Sequence, residues 1–209
     1  MTTTLTPAHS DAPTGGEIPH VRVAIVGTGF TGLAMVHALQ QAGREDYLVL
    51  EKSPEVGGVW RDNTYPGIAC DVPSHLYSLS FAPNPDWERT FSSGGQIWEY
   101  EERVARELRI AEKTWFGEEL LSATWDAAAA RWDLRTTTRR LTAQVVVDGS
   151  GVLGAPKLPD ISGIERFRGD LFHSAEWNHA ASLAGKRVAV IGTGASAIQI
   201  VPAIQPDVE

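Results

Sequence analysis

Two stretches of this chain combine glycines with flanking apolar residues in a pattern suited to holding phosphate: VAIVGTGFTGLA from Val23 and VAVIGTGASAIQ from Val188. In the first, Gly27 allows a tight bend, Gly29 lets the backbone approach a pyrophosphate, and Gly32 lets a helix pack closely on the preceding strand. The helix that follows offers unpaired N–H groups and the positive end of its dipole. Glu51 ends the next expected strand, where a carboxylate accepts hydrogen bonds from ribose hydroxyls. The second copy, Gly192, Gly194 and Ala197, has alanine in the third place, which the pattern tolerates. Two such turns imply two dinucleotides, most economically one tightly held redox cofactor and one exchangeable nicotinamide. The competing interpretation, a glycine-rich turn without ligand, is weakened at the first turn by the strand signals on both sides and by Glu51.

These residues need elements to position them. The apolar run Val23 to Val26 suits a strand buried on both faces, and Leu33, Val36, His37, Leu39 and Gln40 recur at helical spacing up to Gly43, a helix stop. Tyr47 to Glu51 completes a βαβ unit. Ile97, Tyr100, Val104 and Leu108 lie about one turn apart, with charged residues between them, and predict a surface helix over Gln96 to Leu108. Leu120 to Trp125, Arg131 to Thr136 and Ala143 to Asp148 predict three strands, a small meander inserted into an α/β sheet. The Gly- and Pro-rich stretch from Asp148 to Pro159 is a loop. Within it, Ser150 and Gly151 follow a buried strand and resemble a place where such folds pass close to a cofactor. Arg187 to Ile191 then predicts another strand, and the residues after Gly194 another helix.

Composition removes several function classes. The net charge is −8, and no run of Lys or Arg is longer than Arg139-Arg140, which disfavours nucleic acid. No apolar run reaches the roughly 18 residues of a membrane helix. The single Cys70 precludes an intramolecular disulfide and fits a reducing compartment, so the cytoplasm is the expected location. The six histidines show no HxH or HExxH spacing, so no metal site is expected. The first 20 residues, rich in Thr, Pro and Gly, are expected to be a disordered tail.

Two further motifs carry a family resemblance. Gly57, Gly58, Trp60, Tyr65, Pro66, Gly67 and Asp71 fill every place of a Gly-Gly-x-Trp, aromatic-Pro-Gly, Asp signature. Phe167, Gly169, His173 and Trp177 fill a Phe-x-Gly-x-x-x-His-x-x-x-Trp signature, with Asn178 where Pro or Asp is usual. With the first glycine turn and Glu51, these resemble the Baeyer–Villiger branch of the class B flavoprotein monooxygenases. Trp177 favours that branch over relatives that oxidise nitrogen or sulfur.

The resemblance implies a Rossmann-like FAD-binding domain over residues 21–160, a linker over 161–180 and the start of an NADP-binding domain over 181–209. It implies FAD and NADPH as cofactors and the insertion of one oxygen atom of O2 beside the carbonyl of a small-molecule ketone. Phe30, Lys52, Gly58, Val59, Trp60, Tyr77 and Leu120 would join Gly27, Gly29, Gly32 and Glu51 around the flavin nucleotide. Gly192, Thr193, Gly194, Ala195 and Ser196 would hold the nicotinamide nucleotide. Asp71 matches the family's active-site carboxylate, which pairs with an arginine whose segment is expected downstream of residue 209. Phe167 and Trp177 would anchor the linker by packing, Gly169 would permit a bend, and His173 would serve domain movement. Against each stands an ordinary role: core packing for the aromatics, a solvated or capping side chain for Asp71, an interdomain hydrogen bond for His173. Because family members are much longer, the C-terminal portion is expected to be exposed. An N- or S-oxidising monooxygenase and a non-catalytic FAD-binding fragment remain alternatives.

Overall fold

A parallel pair of strands is stable only when both faces are covered, and the central strand of this chain meets that condition. In β1 (His20–Val26) adjacent Ala24 and Ile25 are both fully buried. The computed structural model describes residues 18–209, so residues 1–17 of the tail expected over residues 1–20 lie outside the described residues, and His20, its last residue, belongs instead to β1. β1 begins at His20, whose Nδ1 is hydrogen-bonded to Thr142 Oγ1 at 2.9 Å.

Two compact units emerge. One runs up to Gly58 and takes in Glu101–Gly151; the other comprises Val59–Tyr100 and Val152–Glu209. The first unit is built on a six-stranded sheet in the order β3 (Thr114–Phe116), β2 (Tyr47–Glu51), β1, β6 (Arg140–Asp148), β5 (Arg131–Thr136) and β4 (Leu120–Asp126). β2 and β6 flank β1 in parallel, while β4 and β5 continue antiparallel from β6. The meander is therefore present, and its last strand is also part of the parallel sheet, with Val23 opposite Val145 and Ile25 opposite Val147. Ala24, Leu50, Leu134, Leu141 and Ala143 form a buried cluster of this sheet.

Helix α1 (Phe30–Gln41) joins β1 to β2 and buries Gly32, Leu33 and Val36. It ends where Gly43 takes φ +64°, as its sequence predicts. Two expectations need correction. A short strand, β3 (Thr114–Phe116), lies beside β2, its three residues too few to show a periodic pattern. The helix predicted over Gln96 to Leu108 is α3 (Gly94–Glu107), and it is no simple surface helix. Ile97, Tyr100, Val104 and Leu108 are buried as their spacing predicts, but so is Glu101, at 0% exposure.

The second unit is poorer in regular structure. It contains most of α2 (Gly58–Asp62), a long loop region, and α4 (Ala195–Ile204). Here the predicted strand over Arg187 to Ile191 does not form: the segment has no ladder partner among the described residues, and Ile191 is 67% exposed. A strand exists by virtue of its neighbour's N–H and C=O groups, and apolar composition alone does not provide them.

Candidate functional site

The first turn is shaped by close backbone approach. Gly27 takes φ +91°, and a Cβ there would stand 2.6 Å from the carbonyl oxygen of Gly149 at the exit of β6. A Cβ on Gly32 would fall 2.1 Å from the carbonyl oxygen of Gly27, so the first turn of α1 can lie against the loop only if this position has no side chain. Gly29 is the N-cap of α1, extended at φ −76° and ψ −167°, and no side chain caps the helix. Its virtual Cβ meets only the Cα of Gly58 at 3.8 Å and Glu101 Oε1 at 3.9 Å. An uncapped helix N-terminus behind a glycine bend is suited to an anion, so a pyrophosphate fits the donors present.

Glu51 faces this turn from the end of β2, 3% exposed. Its Oε2 accepts hydrogen bonds from the Thr28 backbone N–H at 3.0 Å and from the Thr28 hydroxyl at 2.5 Å. Its Oε1 accepts from the Ser53 N–H at 2.9 Å. A buried carboxylate survives only with such donors, and here they also fix its orientation. Thr28, fully buried between two glycines of the motif, is a site residue that sequence reasoning missed. Its signal was present as the one small hydroxyl residue inside the bend. Glu101 was missed too, because it stands among charged residues on an amphipathic helix.

At the β6 exit, Asp148 Oδ1 accepts from the Ser150 hydroxyl at 2.6 Å and from its N–H at 3.0 Å. These bonds hold the Asp148 carboxyl below its ordinary range and shape the loop at Gly149 that faces Gly27. Phe30 opens α1, Gly58 ends the first of the two chain segments that make the first unit, and Leu120, at the start of β4, packs half-buried against the sheet cluster. Lys52 is exposed.

In the second unit the turn repeats without its surroundings. Gly192 takes φ +118°, and Gly194 caps α4 at φ −76° and ψ −179°, again without a side-chain cap. Thr193 and Ala195 are exposed and Ser196 is half-buried. Beneath this turn α4 packs on the Tyr65-Pro66-Gly67 segment, with Tyr65, Ile200 and Ile204 forming a small core joined by Ile68 and Trp177.

Trp60 and Tyr77 come together: Trp60 Nε1–H donates to Tyr77 Oη at 3.1 Å and the rings meet edge to face at 5.3 Å. Val59 lies on the same short helix, and its carbonyl accepts from the backbone N–H and side chain of Asn63. Asp71 is exposed just beyond Cys70, whose thiol burial pushes up, away from thiolate chemistry. In the linker signature, Trp177 is half-buried and meets Phe172 edge to face at 5.1 Å. Phe167, expected to anchor by packing, is instead 60% exposed, its ring lying over Gly169, where a Cβ would come within 2.7 Å of it. Gly169 thus makes room for a ring, with no left-handed φ. His173 Nδ1 accepts the Ala175 N–H at 3.1 Å and so caps the 3-10 turn Ser174–Glu176.

A strand, a glycine bend and a helix with an uncapped N-terminus, set in a sheet with a parallel centre, define a Rossmann-like α/β fold. The chain belongs to the flavin-binding monooxygenase-like family, whose model matches residues 20–207. It is 54% identical, over 91% of its length, to a Baeyer-Villiger monooxygenase of Streptomyces coelicolor, of which it covers 37%. Among solved structures, cyclohexanone monooxygenase from Rhodococcus sp. Phi1 bound to NADP+ superimposes with a TM-score of 0.82 at 34% identity, over 92% of this chain and 37% of that one. The OTEMO complex with FAD and NADP gives 0.83 at 29% identity, over 92% and 38%. The chain therefore spans a little over a third of the length of these relatives. Among the described residues no helix is long and apolar enough to cross a membrane, and no group of three or more His, Cys, Asp or Glu residues could hold a metal ion.

Proposed function

We propose that this chain carries the FAD site and the nicotinamide-nucleotide turn of an NADPH-using Baeyer–Villiger monooxygenase of the cytoplasm. The enzyme would insert one oxygen atom of O2 beside a ketone carbonyl to give an ester or lactone. The observation that carries the proposal is the pair of glycine turns with matching backbone geometry, of which only the first is backed by a buried, oriented carboxylate. When bound, the flavin supplies hydride acceptance from NADPH and reaction with O2.

The residues of this chain bind and orient. Gly27, Gly29, Gly32 and the first N–H groups of α1, from Phe30, receive the FAD pyrophosphate; Thr28 keeps Glu51 turned toward the ribose. Lys52, Gly58, Val59 and Leu120 complete the flavin nucleotide's surroundings. Trp60 and Tyr77, locked to each other, offer a rigid aromatic wall for the ring system. Gly192 to Ser196 receive the pyrophosphate of NADPH at the N-terminus of α4. The exposed Asp71 carboxylate holds a cationic partner in place beside the reacting carbonyl, a use of fixed charge that stabilises developing oxyanions. The Phe167 to Trp177 signature governs movement between the cofactor sites, through His173.

The test is a visible spectrum of the chain after incubation with FAD and removal of free flavin, followed by anaerobic NADPH and then by O2 with a cyclic ketone or a thioether. Flavin bands near one per chain, bleached by NADPH, with lactone formed from the ketone, are expected. A colourless protein overturns the FAD assignment, and sulfoxide without lactone transfers the reading to the sulfur-oxidising relatives.

A further inference from the structure

We infer that Gln199 is a positioning residue that couples occupancy of the second glycine turn to the placement of Asp71. The inference rests on the proposed reading of that turn as a nicotinamide-nucleotide site. Gln199 lies five residues beyond the N-cap of α4, on the first turns of the helix that would receive the pyrophosphate. Its carboxamide makes three hydrogen bonds to one segment of the second unit. Oε1 accepts from the Tyr65 hydroxyl at 2.9 Å and from the Ala69 N–H at 3.4 Å, and Nε2 donates to the Ala69 carbonyl at 2.8 Å.

The backbone of α4 grips the same place. Gly67, at φ +82°, lies so close that a Cβ there would be 2.5 Å from the Gln199 carbonyl oxygen and 3.0 Å from Ala203 Cβ. On its other side the segment is tied down by hydrogen bonds from the Cys70 N–H to the Ser92 carbonyl at 2.8 Å and from the Gly94 N–H to the Ile68 carbonyl at 3.0 Å. Ala69 is thus held between α4 and Ser92–Gly94, two residues before Asp71. A packed contact held by several hydrogen bonds moves as a unit, so a shift of α4 on binding an anion passes to Ala69 and from there to Asp71.

A glutamine is suited to this role. It presents an acceptor and a donor to the two polar groups of one residue, which leucine or methionine at the same helix position cannot do. Tyr65, 7% exposed, contributes the third point and also packs on Ile200 and Ile204. Apolar packing alone would have attached α4 to the segment; the carboxamide adds control of the Ala69 peptide plane.

Hydrogen exchange of the Ala69, Cys70 and Asp71 amides in the FAD-loaded chain, with and without NADP+, reads the coupling without turnover. In the wild type, NADP+ should slow exchange at these amides by about ten-fold. Gln199→Met, which keeps length and packing but not the hydrogen bonds, should abolish that difference while NADP+ still binds with its dissociation constant changed less than about three-fold. Tyr65→Phe, which removes a single bond, should retain most of it, and Gln199→Leu, which also lacks the carboxamide and should lose the response, serves as the second variant if Gln199→Met fails to fold. Unaltered exchange in the wild type with NADP+ bound, or a full response in Gln199→Met, overturns the coupling alone. Failure of the wild type to bind NADP+ at all overturns both the coupling and the reading of the second turn.

Discussion

Gly29 and Gly194 cap their helices at the same φ of −76°, with ψ of −167° and −179°, and Gly27 and Gly192 before them lie at φ +91° and +118°. Yet a Cβ on Gly27 would collide with Gly149, whereas nothing stands within 4 Å of one on Gly192. Thr28 is fully buried and bonded to Glu51; Thr193 is exposed. The strand before the first turn is paired on both sides, and the segment before the second is unpaired among the described residues. The bend and the helix start are thus properties of a few local residues, while the strand and the packed glycines depend on partners far along the chain.

The largest effect that should separate the turns comes from their third positions. Gly32→Ala places a methyl 2.1 Å from the Gly27 carbonyl, backbone that cannot yield without moving α1, and should cost about 3 kcal/mol or more with loss of FAD retention. Ala197→Gly in the second turn should cost only about 1 kcal/mol, the difference in helix propensity. Urea unfolding of the two variants measures both. Equal losses would show that the packing difference between the turns has no energetic weight.

Next in size is the residue between the first two glycines. Thr28→Val keeps the shape and removes the hydroxyl donor from a buried carboxylate, at an expected cost of about 1.5–3 kcal/mol, the range for hydrogen bonds to charged groups. Thr193→Val should change stability by less than about 0.5 kcal/mol, as for an exposed position. Unfolding midpoints compared with wild type sharpen the comparison, since they isolate one hydroxyl in each turn. FAD affinity should follow the first variant and leave the second unchanged.

The same contrast explains what the sequence showed. Gly32, Gly43 and the apolar runs of β1 and β2 announce their roles because steric demands on them are local and periodic, whereas Gly27 announces its bend but not its contact with the distant Gly149. The family signatures marked Asp71, Trp60 and Trp177 as residues of interest without their geometry. Thr28, Glu101 and Gln199 stayed hidden, because their hydrogen bonds or burial involve residues distant in the sequence. Gln199 in particular sits among apolar helix residues and reaches Tyr65 and Ala69, some 130 residues away. β3 was illegible because three residues carry no period, and Arg187 to Ile191 read as a strand because composition reports burial potential and says nothing of a neighbour.

The smallest difference between the two regions is acid sensitivity, and its sign follows from Glu118. Burial raises its carboxyl pKa, but hydrogen bonds from Thr136 and Thr138, with the Arg139 guanidinium 3.3 Å away, outweigh burial and leave it lowered from 4.5. A carboxyl with a depressed folded pKa stabilises fully above its unfolded value and loses that contribution as pH falls through its folded value. Asp148, lowered through Ser150, acts with the same sign, and both residues belong to the unit of the first turn. Thermal unfolding followed from pH 7 to pH 3 should therefore show a midpoint that declines below the ordinary carboxyl range. Glu118→Gln should be less stable at pH 7, having lost the Arg139 pair, and should show a shallower decline, because the linked proton is gone. A decline as steep as that of the wild type would assign the acid sensitivity to other carboxylates and remove this distinction between the two regions.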